Sequence, residues 1–365
     1  MASYHKAIRG AIFAAATAFA FPAVADKEVR VYNWSDYIDP AILEEFTKET
    51  GIKVTYDVFD SNEVLETKLL AGKTGYDIVV PTASFLSRQI QAGVFQKLDK
   101  SKIPNAANNW PEVYQRVAIY DPGNEYAMNW MWGTTGVGYN EGKINERMKD
   151  APVNSLDMIL KPENAAKFKD CGIYVLDSPE DIVPVVLNYL GIDPNTSKPE
   201  ELKKAEELLT KIRPNIKKFH SSEYINALAN GDICMALGWS GDILQAASRA
   251  DEAKNGQVVK FNIPKEGTQM WFDMMAIPAD AKNVEEAHIF LNYLNKPEVM
   301  AKASNFISYA NGNLASQQFI DEAVRTNPAV YPDEETLKKL YVKKTWDNKT
   351  QRLVTRMWTK ITTGQ

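Results

Sequence analysis

The chain has 365 residues, 45% of them hydrophobic, and a formal net charge of −5. The length is enough for two lobes, and the acidic balance argues against nucleic acid or an anionic membrane surface as a partner. Residues 1–25 are typical of a cleaved secretory signal, with Lys6 and Arg9 before a short apolar run and Ala23-Val24-Ala25 as the cleavage site. Later apolar runs are too short to cross a bilayer, so we expect a soluble, exported protein.

The first part of the mature chain alternates strands with helices. Asp39 and Pro40 begin the first helix, Ser61 caps the second, and glycines end both. This alternation predicts a largely parallel sheet with covered faces. The predicted elements are the strand 28–32, the helix 40–50, the strand 52–58, the helix 61–72, the strand 77–80 and a helix that ends at 93.

Segment 126–140 is extended, rich in aromatic residues and punctuated by glycines, which predicts a strand that leaves one lobe for the other. Segment 269–278 repeats this crossing pattern. Between them, a second α/β unit is predicted. Its elements are the strand 172–176, the helices 180–190, 199–211 and 222–230, the strand 233–237, a helix to about 253 and the strand 258–263. Helices at 285–295, 333–343 and 349–361 are predicted to close the chain.

Two cysteines, Cys171 and Cys234, fall in the mature part. In an oxidising compartment a pair of cysteines predicts one disulfide, although two isolated buried thiols remain the alternative.

Catalytic motifs are poorly represented. His220 and His288 lie in unrelated contexts, without HExxH, Cys-x-x-Cys or G-x-S-x-G patterns, and the glycines at 133–138 miss the dinucleotide-binding spacing. We therefore predict no enzyme activity, no cofactor and no metal.

What recurs instead is an aromatic residue beside an acid at the end of a strand or crossover. In an open α/β sheet this is where ligands bind, and aromatic faces beside carboxylates suit an organic cation. The alternative is that the aromatics are core residues and the acids favour helix first turns. The pattern occurs at Trp34, Asp36 and Tyr37, at Trp239 and Asp242, and at Trp271 and Asp273, with Asp181 as a further acid.

Five motifs carry a family resemblance that covers essentially the whole mature chain. The chain resembles periplasmic polyamine-binding proteins of the PotF and Spu type, and its Trp271 resembles that of the spermidine-preferring SpuE. The motifs are NWSDYI (33–38), VVPTASFL (79–86), WGTTGVGYN (132–140), GDIC (231–234) and GWSGD (238–242).

The resemblance implies a two-lobed, type II periplasmic solute-binding fold, each lobe a mainly parallel sheet flanked by helices and hinged by crossover strands. Lobe 1 would comprise 26–131 and 268–303, and lobe 2 would comprise 132–267 and 304–365. The implied function is a monomeric periplasmic receptor that binds spermidine, and putrescine less tightly, for an inner-membrane ABC permease.

Site residues also follow from the resemblance. Ser35 and Asp36 would bind one amine while Trp34 and Tyr37 wall the aliphatic chain. Asp36 and Asp242 would lie on different lobes, so that ligand charge pulls the lobes together. The other implied binding residues are Thr82, where the family often has serine, Asp181, where a close putrescine receptor has glutamate, and Trp239, Trp271, Asp273 and Tyr309. Cys171 and Cys234 match the family's disulfide pair.

Two other functions stay open. One is a receptor of the same fold for a different solute, such as a sugar or ferric ion. The other is a secreted hydrolase that uses two of the acids, because paired carboxylates for hydrolysis are distant in sequence.

Overall fold

The computed structural model describes residues 27–364. The predicted signal segment, 1–25, lies outside these residues. Within the described range, no helix is both long and apolar enough to cross a membrane.

The chain forms eleven strands and sixteen α-helices over the described residues. The strands are β1 Glu28–Trp34, β2 Lys53–Phe59, β3 Ile78–Val79, β4 Ala127–Asn140, β5 Ile173–Val175, β6 Lys218–Phe219, β7 Met235–Trp239, β8 Val259–Asn262, β9 Gln269–Ala276, β10 Ala310–Asn311 and β11 Tyr341–Val342. The helices are α1 Pro40–Thr50, α2 Asn62–Ala71, α3 Ala83–Gln91, α4 Pro111–Val117, α5 Glu141–Arg147, α6 Asp157–Leu160, α7 Pro162–Ala165, α8 Pro179–Tyr189, α9 Pro199–Ile212, α10 Tyr224–Asn230, α11 Ser240–Ala253, α12 Val284–Leu294, α13 Pro297–Ile307, α14 Glu322–Arg325, α15 Glu334–Leu337 and α16 Asn348–Thr363.

Local signals in the sequence place the first helices correctly. The Asp39 carboxylate accepts a hydrogen bond from the backbone of Ala41, and Gly51 ends α1 in the left-handed conformation with φ 73°. Ser61 caps α2 in the same way by accepting from the backbone of Glu63.

Eight strands form one continuous path in the order β2-β1-β3-β9-β4-β7-β5-β6, while β8 and β10 pair with β4 and β11 pairs with β9. β1 pairs with β2 and β3 in parallel, and β5 pairs with β6 and β7 in parallel. β4 is antiparallel to β9 through its first half and antiparallel to β7 and β8 through its second half. The predicted crossover is confirmed: β4 is one long buried strand shared by both lobes.

Two separate hydrophobic cores lie on either side of this crossover. The first contains β1, β3, β9 and the first half of β4, and the second contains β5, β7, β8 and the second half of β4. The predicted lobe boundaries stay a proposal, with one correction. Residues 304–330, assigned to lobe 2 from the sequence, include Ile307, Tyr309, Ala310 and Val330, which all pack in the first core because α13 and β10 lie against it.

The predicted disulfide is confirmed. Cys171 and Cys234 are bonded, with 5.4 Å between their Cα atoms, and no cysteine in the described part of the chain is free. The bond ties the segment before β5 to the segment before β7, inside the second lobe.

Near the C-terminus one predicted helix is wrong and one helix was not predicted. The predicted helix 333–343 is the single turn α15 followed by strand β11, because Tyr341 and Val342 pair in parallel with the edge of β9. A helix over Pro297–Ile307 was not foreseen, although Pro297 stands at its first position and its apolar face is buried.

Candidate functional site

A narrow cavity lies between the two cores, beside the paired strands β4 and β9. Ten of the eleven predicted site residues line it. They are Trp34, Ser35, Tyr37, Thr82, Asp181, Trp239, Asp242, Trp271, Asp273 and Tyr309. Four further residues, Asp60, Ser221, Ser222 and Ile225, complete the lining and were not predicted, although Phe59 and Asp60 at the end of β2 repeat the aromatic-plus-acid pattern.

Trp34 forms one wall of the cavity because it ends β1 at the carboxyl edge of the sheet. Its indole N–H donates to the carbonyl of Val80 at 2.9 Å, which fixes the ring. Trp239, at the end of β7 in the second lobe, approaches it edge-on with 5.5 Å between ring centroids. The two lobes thus bring their tryptophans together at the cavity.

Trp271 forms the floor in the middle of β9. Its ring lies directly over Gly133 of β4, where an added Cβ would be 2.8 Å from the indole. Its ring centroid is also 5.4 Å from that of Tyr309. Only glycine at 133 leaves room for the indole in this position.

Asp273 is one of three buried carboxylates at the cavity. It accepts hydrogen bonds from the Tyr37 hydroxyl and the Thr82 hydroxyl, each at 2.7 Å. Burial raises the pKa of Asp273 to about 7, although these hydrogen bonds oppose the shift. Tyr37 and Thr82 follow β1 and β3, so this acid is held from the first lobe.

Asp242 is the second carboxylate and lies in the first turn of α11. It accepts from the hydroxyls of Tyr224 at 2.6 Å and Tyr309 at 2.7 Å. Burial raises its pKa to about 7 against these two hydrogen bonds. The Tyr309 ring packs on Gly241, where an added Cβ would be 2.4 Å from the ring.

Asp181, the third carboxylate, lies in the first turn of α8. It accepts from the Ser178 hydroxyl at 2.6 Å, from the Thr135 hydroxyl at 3.4 Å and from the Gln269 amide nitrogen at 3.3 Å. Burial raises its pKa to about 6. The shorter side chain of aspartate therefore still reaches the cavity and is well held there.

Asp36 is the one predicted residue that does not line the cavity. It has a left-handed backbone conformation, φ 54°, and its carboxylate accepts from the Arg249 guanidinium at 2.6 Å. The pair is partly exposed and joins β1's loop to α11 of the second lobe. The arginine opposite holds the Asp36 carboxylate at the rim, and the expected contact of Asp36 with an amine of the ligand stays a prediction.

A buried charge cluster stands behind Asp181. Glu180 forms ion pairs with Arg88, at 3.1 Å, and with the fully buried Lys343. Together they connect α3, α8 and the segment after β11. The two basic side chains are engaged by Glu180, and no lysine, arginine or histidine lines the cavity within residues 27–364.

The cavity can therefore hold an organic cation with an apolar body. Three buried carboxylates without basic partners supply negative charge, and five aromatic rings supply flat walls. Within the described part of the chain, no group of three or more histidine, cysteine and acidic residues is arranged to hold a metal ion.

Two α/β lobes, joined by crossing strands and enclosing a cavity between them, are the architecture of a solute-binding protein. The family model described as bacterial extracellular solute-binding protein matches residues 41–332. The chain belongs to this family, and it is accordingly a binding protein and not an enzyme, which removes the hydrolase alternative.

Relatives with assigned names are similar along the whole chain. The putrescine-binding periplasmic protein SpuD of Pseudomonas aeruginosa is 55% identical over all of both chains. The putrescine-binding periplasmic protein PotF of Escherichia coli is 55% identical over 94% of this chain and 93% of its own. The predicted resemblance to polyamine-binding proteins is confirmed, whereas the particular likeness to SpuE stays a prediction.

A solved structure has the same fold. A putative spermidine/putrescine ABC transporter protein from Listeria monocytogenes superposes with a TM-score of 0.81 at 30% identity, over 93% of this chain and 100% of the other. The predicted two-lobed α/β fold class is confirmed.

Proposed function

We propose that this protein is a periplasmic receptor that binds a polyamine and delivers it to an ABC permease of the inner membrane. The observation that carries the proposal is the set of three buried carboxylates, Asp181, Asp242 and Asp273, around a cavity that no basic side chain of residues 27–364 lines. Burying uncompensated negative charge is costly, and a ligand with several ammonium groups would remove that cost.

The aromatic walls account for the rest of the ligand. A polyamine carries methylenes between its charges, and Trp34, Trp239 and Trp271 offer apolar faces for methylenes and π-faces for ammonium groups. The names of the relatives at 55% identity, both putrescine-binding periplasmic proteins, support the same class of ligand and the same compartment. A neutral sugar would leave the three acids unpaired.

Two lines of evidence disagree on whether the site prefers spermidine or putrescine. The prediction from Trp271 is that spermidine binds more tightly than putrescine, and the count of three buried acids favours a triamine. The names of SpuD and PotF favour putrescine instead. We keep the spermidine preference as a proposal that a titration decides.

Closure of the lobes is part of the proposed mechanism. Asp242 belongs to the second lobe and Asp273 to the first-lobe sheet, so one ligand that pairs with both would hold the lobes together. The Asp36–Arg249 ion pair spans the rim of the same cleft. In this form the protein would present a closed surface to the permease as an exported monomer.

Isothermal titration of the mature protein with putrescine, cadaverine, spermidine and spermine tests the proposal. We expect one tight site for at least one polyamine. A matched control is 1,4-butanediol, which has the four-carbon chain of putrescine but no charge and should not bind. If no polyamine releases heat or raises Tm while a sugar or ferric ion does, the proposed function is wrong and the other solute classes take its place.

A further inference from the structure

We propose that Gln269 is a further specificity-determining residue, which positions Asp181 as the site for the third nitrogen of a triamine. The inference rests on the proposed polyamine function and adds the length of ligand that the cavity selects. Gln269 was absent from the residues predicted from the sequence and does not itself line the cavity.

The placement of Gln269 follows from the alternation of side chains along β9. Gln269, Trp271 and Asp273 are separated by two residues each, so their side chains point to the same face of the strand. Trp271 and Asp273 line the cavity, and Gln269 hydrogen-bonds the cavity-lining Asp181. β9 therefore carries a carboxylate at one end of the site, an indole in the middle and an amide at the other end.

The row of side chains on β9 is longer than a diamine. Four residues of a strand cover roughly 13 Å between Gln269 and Asp273. From bond lengths, an extended four-carbon diamine spans roughly 6 Å between its nitrogens, and the triamine with three- and four-carbon spacers spans roughly 11 Å. A diamine has two ammonium groups and can pair with only two of the three buried acids, whereas a triamine carries a third ammonium that can pair with Asp181.

The hydrogen bonding of Gln269 fixes which way its amide points. The NH₂ group donates to Asp181 Oδ1 at 3.3 Å, because only that end of the amide can donate to a carboxylate. The carbonyl oxygen is then buried without a hydrogen-bond partner among residues 27–364. This arrangement orients the Asp181 carboxylate and leaves an acceptor unused beside it.

The residue paired with Gln269 on the neighbouring strand also has a buried polar group without a hydrogen-bond partner within residues 27–364. Tyr341 of β11 is in register with Gln269, and its hydroxyl is also buried without a partner in the described part of the protein. An ammonium group carries three N–H donors, and Asp181 is the acceptor at this end that lines the cavity. Gln269 therefore holds Asp181 from outside the cavity lining, and Asp181 presents its carboxylate to the ligand.

The test measures how Gln269→Met changes the affinity for spermidine relative to putrescine, by isothermal titration at one pH. Methionine preserves the volume but removes the amide. We expect spermidine affinity to fall about tenfold and putrescine affinity to change by less than about twofold. Gln245→Met is the matched control, since Gln245 is equally buried but donates to the carbonyl of Ile307 outside the cavity lining.

Two further variants make the test decisive. Gln269→Asn keeps an amide that is too short to reach Asp181, and should give the same selective loss if Gln269→Met does not fold. Because Gln269 is proposed to act through Asp181, Asp181→Asn should lower spermidine affinity by itself, and adding Gln269→Met should cause little further loss. Equal losses for both ligands, or none, would overturn the inference. If the wild-type protein binds neither polyamine, it is the proposed function that fails.

Discussion

Acidification should weaken polyamine binding, because the cavity must give up protons to accept a cation. Asp242 and Asp273 each have a pKa of about 7 as a result of burial. Asp242 faces the hydroxyls of Tyr224 and Tyr309, with Asp36 raising and Arg249 lowering its pKa from further away. Asp273 faces two hydroxyls as well, and the other buried acids raise its pKa.

The size of the effect follows from these values. In the complex an ammonium beside each carboxylate favours the ionised form, so the ligand-free protein binds more protons than the complex, and affinity rises with pH. At pH 7 each acid is about half protonated, and a dication that pairs with both should release about one proton. At pH 5.5 both acids are largely protonated, and the affinity should be on the order of 100-fold lower than at pH 7.

Titration calorimetry measures both quantities. Putrescine binding at pH 7 in buffers of low and high ionisation enthalpy gives the number of protons released, and titrations between pH 5.5 and 8 give the change in affinity. Asp242→Asn is the internal control, because removing one acid should about halve the proton release. Binding enthalpies that do not depend on the buffer, together with a constant affinity, would refute the reasoning.

Three substitutions test the walls and the rim of the cavity. Trp271→Phe should reduce spermidine affinity about tenfold more than putrescine affinity, or roughly 1.4 kcal/mol, because the indole has the stronger π-face; equal losses in titration would contradict this. Gly241→Ala should lower polyamine affinity and cost about 1–3 kcal/mol in unfolding free energy, because the new Cβ meets the Tyr309 ring; a higher Tm would show that the ring has room to move. Arg249→Ala should speed ligand release only a few-fold in stopped-flow measurements, because its ion pair with Asp36 is partly exposed and worth at most about 1 kcal/mol. An unchanged release rate would mean that the pair does not hold the rim.

The residues at the ends of strands were predictable from the sequence alone. Trp34 and Trp239 end strands, and Asp242 closely follows one, that alternation and turn residues mark clearly, so their meeting in one cleft follows from the fold. Asp36 shows where this reasoning stops. Its position after β1 is the same as that of its neighbours, but Arg249, more than two hundred residues away, determines where its carboxylate points.

The residues that hold the buried carboxylates in place could not be predicted from the sequence either. Tyr224 holds Asp242 from 18 residues away and Gln269 holds Asp181 from 88 residues away, and neither stands in a motif. β11 escaped prediction for a related reason: two residues form a strand only because the edge of β9 is available to pair with them.

The shared crossover has a consequence for how the chain folds. The first core needs segment 270–310 in addition to 29–132, and the second needs segment 346–361 in addition to 137–261. A nascent chain that ends near residue 260 therefore lacks part of both hydrophobic cores. Contacts of such long sequence separation form late and slow the folding reaction. Neither lobe can reach its final stability as an independent N-terminal unit, and the two should fold almost together once the chain is complete.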